Sequence, residues 1–219
     1  MKIMPAVIDL AEDKQTFKLG EFQVETSEPF FFVVKINGRK FSDQELYEID
    51  AANEDLRIET NAAGDFEIMP PPFPETSRKN MDIDAQLYIW AKKDKSGVCF
   101  ESSAKFTLPS GAKRMPDAAW ILRERYYALS EIERSERFAR IAPDFIIELR
   151  SKSDRLKNLQ NKMGEYIENG VRLGWLIDPY EKQVHVYRAD KTVEVFDNPK
   201  TVSGEDVLKG FELDLTEIW

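Results

Sequence analysis

The sequence predicts an α/β (α+β) domain, a central mixed β-sheet flanked by helices, and three patterns carry that prediction. One is a short strand, Phe145-Ile146-Ile147-Glu148-Leu149, entered by Pro143-Asp144 and left at Arg150, apolar but for Glu148. Another is a pair of helical apolar stripes, one before and one after that strand in the chain. The third is the order of elements: a β-rich first half, then strand, helix, strand, strand.

Residues 1 to about 40 read as extended segments and turns, with Phe30 to Val34 a strand candidate and a turn at Asn37-Gly38. Residues 42–53 read as a short helix, since Ser42 and Glu45 stand at capping-box spacing. Leu56–Thr60 and Phe66–Met69, separated by Asn61-Ala62-Ala63-Gly64, read as a hairpin ended by Pro70-Pro71-Pro72. From about Glu75 to Lys93 the pattern turns helical, with Ile83, Leu87, Trp90 and Ala91 on one stripe. Val98–Phe100, Ala104–Leu108 and Ala118–Leu122 follow as strands, and Ser130-Glu131-Ile132-Glu133 is a second capping box. A helix capped by Ser153 or Asp154 runs to Asn169, with Gly170 just past its end. Strands at Trp175–Ile177, Val184–Tyr187 and Val193–Phe196 complete the sheet, and Gly210–Leu215 packs as a last segment. The expected division is an N-terminal extension over 1–41, packed on the core, and one domain over 42–219.

Composition excludes much of the common chemistry. The 219 residues are 42% hydrophobic, enough for a core, and no apolar run approaches the roughly 20 residues of a membrane span. The N-terminal segment lacks the apolar stretch of a secretory signal, so a cytoplasmic protein with no membrane partner is expected. One cysteine, Cys99, and one histidine, His185, exclude a disulfide framework and a cysteine- or histidine-rich zinc site. His185 lies in the alternating run Val184-His185-Val186-Tyr187 and reads as a solvent-facing strand residue, with no nucleophile signature beside it. No glycine-rich phosphate cradle is present. Carboxylates, lysines, arginines and a hard metal ion are left. The net charge of −9 argues against broad nonspecific nucleic-acid affinity, yet Arg150, Lys152, Arg155, Lys157 and Lys162 form a local basic run.

That run begins where the Glu148 strand ends. Alternation along the strand puts Asp144, Ile146, Glu148 and Arg150 on one face. A carboxylate in so apolar a strand needs a partner, either Arg150 or a metal ion. Mg²⁺ takes few carboxylates and completes its shell with water and substrate phosphate, so two acids on adjacent strands suffice. Asp117, which starts the Ala118–Leu122 strand after Pro116, and Glu148 are the candidates, with Glu59 in the hairpin as a further acid. Arg150 stays protonated and can only stabilise charge. Lys162 flanks the apolar stripe of the following helix and can assist a nucleophilic water, or else snorkel over the core.

The segments IETNAAGDFEIMPPP, PDAAWI, PDFIIELRSKSD, NKMGEYIENGVRLGWLIDP and VHVYR, in that order, resemble the Uma-two family of restriction endonucleases, within the PD-(D/E)xK restriction-endonuclease-like superfamily. The likeness runs from about residue 42 to Trp219. It implies a restriction-endonuclease-like core and a Mg²⁺ or Mn²⁺ site formed by Asp117 and Glu148, with Glu59 as the additional acid. It implies that Lys162 replaces the superfamily lysine, whose usual place two residues after the glutamate is taken by Arg150, and that Asp144 only starts its strand. Lys152 stands where the family often has proline. The function so implied is metal-dependent hydrolysis of DNA phosphodiesters, by a homodimer if both strands are cut. The alternative is a nuclease-fold binding or assembly module without turnover. A carboxylate-pair sugar hydrolase fits the basic run less well.

Overall fold

The computed structural model describes residues 15–19, 22–28, 31–36, 38–53, 56–69, 72–135 and 138–219. The readings made for Phe30, Asn37 and residues 1–14 lie outside them. In chain order the elements are β1 (Gln15–Leu19), β2 (Phe22–Glu28), β3 (Phe31–Lys35), α1 (Asp43–Ala51), β4 (Arg57–Thr60) and β5 (Phe66–Met69). Next come α2 (Pro74–Asp94), β6 (Gly97–Glu101), β7 (Phe106–Thr107), β8 (Lys113–Arg114), β9 (Ala118–Leu122), α3 (Arg123–Tyr127) and α4 (Glu131–Ser135). The chain ends with β10 (Phe145–Leu149), α5 (Leu156–Glu168), β11 (Leu173–Asp178), β12 (Gln183–Arg188), β13 (Val193–Asp197), β14 (Thr201–Ser203) and β15 (Glu212–Asp214). They gather into two units, Met1–Pro71 with Ser110–Arg114, and Pro72–Pro109 with Met115–Trp219. The first unit takes in α1 and the β4–β5 hairpin together with β1–β3.

In the first unit the strand order is β1-β2-β3-β5-β4-β8. The capping box forms at α1: the Ser42 hydroxyl accepts from the Glu45 amide at 3.2 Å and the Glu45 carboxylate accepts from the Ser42 amide at 2.8 Å. The β4–β5 turn is closed by Asn61, whose side-chain oxygen accepts from the Ala63 and Asp65 amides at 3.0 and 3.1 Å.

The second unit is built on a six-stranded sheet in the order β13-β12-β11-β10-β9-β6. Strands β10 and β11 are parallel, joined through α5, and their neighbours are antiparallel. Every residue of β10 and β11 is buried, as expected for parallel strands covered on both faces. Ala118, Trp120, Phe145, Ile147, Leu149, Trp175 and Ile177 pack one face against Ile83, Leu87 and Ala91 of α2 and against Phe211, Leu213 and Leu215 of the tail. Alternation sends Ala119, Ile121, Ile146, Glu148 and Leu176 to the other face, which α5 covers. The approach of α5 is close: a Cβ on Gly174 would stand 2.7 Å from the Met163 terminal methyl.

Two local expectations differ. α5 is entered at Arg155 with no side-chain cap, because the Asp154 carboxylate instead accepts from the Ser151 amide at 2.7 Å and closes the preceding turn. His185, read as solvent-facing, is buried, since β12 is an interior strand beneath α5. Burial lowers its pKa, and its Nε2 has no hydrogen-bond partner among the described residues.

Gly97 tests the packing of this sheet. An added Cβ would lie 2.1 Å from the Trp120 ring, itself 1% exposed. Gly97→Ala is expected to destabilise the fold by about 1–3 kcal/mol, the usual cost of overpacking a core, read as a lower midpoint in urea unfolding.

Candidate active site

The register of β9 and β10 sets the site. Ile146 pairs with Ala119 and Ile147 with Ala118, so one step further the same register places Glu148 opposite Asp117. Both belong to the face that α5 covers. Asp117 is 8% exposed and its Oδ2 accepts from the Leu149 amide at 2.8 Å, which ties the start of β9 to the end of β10. Glu148 is 3% exposed. Its Oε1 accepts from Lys162 Nζ at 2.9 Å and from the Tyr166 hydroxyl at 2.9 Å. Lys162 therefore points inward from α5 to the sheet, with a side chain 12% exposed.

Two further acids share this field. Asp84, on the same stripe of α2 as Leu87 and Ala91, has its carboxyl pushed up to about 7 by burial, then by the charges of Glu101 and Asp117. Asp154 is raised by burial, and Asp117 adds to the rise while Lys162 opposes it. Asp84 lies outside the apolar set Ile83, Leu87, Trp90 and Ala91 that the sequence predicts for α2. The available signal was an acid three residues before Leu87 and seven before Ala91, on the inward face. Tyr166 is 1% exposed, and its hydroxyl nonetheless reaches Glu148.

Glu59 and Arg150 have partners of their own. Glu59 belongs to the first unit, where it is 1% exposed and pairs with Arg114 at 3.0 Å and Arg57 at 3.6 Å. Arg114 also holds Glu67, so this carboxylate is engaged in a buried ion network. Arg150 does not pair with Glu148: its guanidinium meets the fully buried Asp178 at 2.7 Å and donates to the Asp154 carbonyl at 3.3 Å. Asp144 marks the opposite end of β10, with Oδ2 accepting from the Leu122 amide at 2.9 Å and Oδ1 paired to Arg125 at 2.8 Å. Cys99 is no nucleophile: burial first, and Asp84 next, push its thiol up to about 12.

A family profile described as "Uma2: Putative restriction endonuclease" matches residues 43–216. The chain belongs to the Uma2 family. Among curated proteins, none matches. Among solved structures, a putative nuclease belonging to DUF820 from Anabaena variabilis is 22% identical, with a TM-score of 0.65 over 82% of this chain and 97% of that one. The mixed α/β fold with its central sheet is thus shared with that structure.

Among the described residues, no three acid, histidine or cysteine side chains are drawn together tightly enough to enclose a metal ion by themselves. In this Uma2 chain the donor set nonetheless fits a hard cation, because Mg²⁺ asks for one or two carboxylates and takes its remaining oxygens from water and phosphate.

Two predictions follow from this geometry. A carboxyl whose folded pKa lies above its unfolded one takes stability away as pH rises from about 4 through about 7. Asp84→Asn should raise the melting temperature of metal-free protein, by about 2–4 °C per kcal/mol relieved, and more at pH 8 than at pH 5. Arg150→Ala should leave Asp178 buried without its cation, at a cost of about 3–5 kcal/mol, seen by denaturant unfolding.

Proposed function

We propose that this chain is a cytoplasmic Mg²⁺- or Mn²⁺-dependent endodeoxyribonuclease that hydrolyses DNA phosphodiesters. The observation that carries the reading is the buried Glu148 carboxylate, held by Lys162 at 2.9 Å and in register opposite Asp117. Membership of a family described as restriction endonucleases supports it. The nuclease description of the Anabaena variabilis structure points the same way.

Asp117 and Glu148 would hold the metal ion. Bound there, the ion would acidify a water and neutralise charge on the scissile phosphate. Lys162 assists by orienting that water or by stabilising negative charge that develops on the phosphoryl oxygens. Arg150, anchored by Asp178, fixes the end of the strand that bears Glu148. Lys152, Arg155 and Lys157 are exposed on the segment after β10 and provide phosphate contacts in a chain of net charge −9. Cutting both strands calls for two copies, a homodimer.

With Mn²⁺ and plasmid DNA, Asp117→Asn and Glu148→Gln are expected to abolish nicking, and chelation to do the same to the wild type. Lys162→Ala should slow cleavage by about 10²–10⁴-fold, the usual contribution of a positioned proton-transfer or charge-stabilising group. The reading is overturned if no form of DNA is cut, or if Asp117→Ala and Glu148→Ala cut like the wild type.

A further inference from the structure

The proposed chemistry leaves one polar group at the site without a role, the Tyr166 hydroxyl. Lys162 and Tyr166 are four residues apart on α5, so they rise from one face of the helix. Both reach the same atom, Glu148 Oε1, at 2.9 Å each. The Lys162 amine also stands 5.8 Å from the centroid of the Tyr166 ring, within the range of a cation–π contact. The ring is 1% exposed and cannot swing away without opening the core.

A carboxylate held by one flexible lysine can rotate and translate with it. A second donor on a rigid ring removes that freedom. We infer that Tyr166 is a positioning residue: its hydroxyl fixes the plane of the Glu148 carboxylate for a metal ion, and its ring and hydroxyl together fix the Lys162 amine. This inference rests on the metal-site reading above. The competing account is a core tyrosine whose hydroxyl found the nearest acceptor, as buried tyrosines do.

The two accounts separate in metal binding. Tyr166→Phe keeps the ring and deletes one oxygen. Calorimetric titration of the metal-free full chain with Mn²⁺ should show about tenfold weaker binding for Tyr166→Phe, the scale seen when a group supporting a metal ligand is removed. Ile167→Val, a packing change on the same helix, should lower the melting temperature and leave Mn²⁺ affinity as in the wild type. At saturating Mn²⁺, Tyr166→Phe should also cut DNA with a lower kcat and an unchanged KM. Tyr166→Phe binding Mn²⁺ like the wild type would overturn the inference. A wild type that binds Mn²⁺ but cuts no DNA would end the nuclease reading and leave the role of Tyr166 to be judged on affinity alone. A wild type that binds no Mn²⁺ overturns both.

Discussion

Glu148 is 3% exposed on a strand whose other members are Phe145, Ile146, Ile147 and Leu149. An ionised carboxylate there has lost its water, and the penalty runs to several kcal/mol unless charge and hydrogen bonds replace it. The placement of α5 follows from that constraint. The helix must lie close enough for Lys162 and Tyr166 to reach one oxygen at 2.9 Å. That proximity in turn leaves room for only a glycine at position 174, beneath Met163. The central strand, the helix that crosses over it and the next strand are thus held in register by the need to satisfy one acid.

The two Pro-Asp pairs show how the same local chemistry serves two ends. Strands β9 and β10 are antiparallel, and the aspartate before each one accepts from an amide at the far end of the other: Asp117 from Leu149, Asp144 from Leu122. Each clasp stitches the strand pair at one end. What differs is the company. Asp144 meets Arg125 at 2.8 Å and Arg172 at 4.0 Å, and so becomes a closed ion cluster. Asp117 instead adds to the rise that burial first imposes on Asp84 and Asp154. The Asp144 end is closed by arginines, while the Asp117 end brings Glu148 and Lys162 together, and that makes it the metal-site candidate.

The β9, β10 and β11 strands, α2 and the capping boxes were legible because each is written in local periodicity or in residues three or four apart. Glu148 stood out as an acid in an apolar run. Its alignment with Asp117 needs the strand register, and the approach of Asp84 needs the packing of a helix more than twenty residues away, neither of which spacing encodes. His185 departs from its predicted exposure for a related reason: alternation reports two faces, and only topology says that β13 and α5 bury both the edge and the face of β12. β14, three residues of Thr201-Val202-Ser203, is too short for any pattern and exists through its pairing with β15.

Arg150 then explains why the lysine paired with Glu148 sits on a helix. Two residues after Glu148, a side chain shares its face and is the natural place for a cation to reach the site. In this chain that position is bound to a different task. Asp178, at the end of β11, is fully buried and demands a permanent cation, and arginine supplies one with a planar fork that donates to the Asp178 carboxylate and the Asp154 carbonyl together. A lysine there would have to choose between Asp178 and Glu148. With Arg150 committed to Asp178, the cation for Glu148 has to come from the layer above the sheet. The α5 position that faces the strand end, one turn before the buried Tyr166, is Lys162.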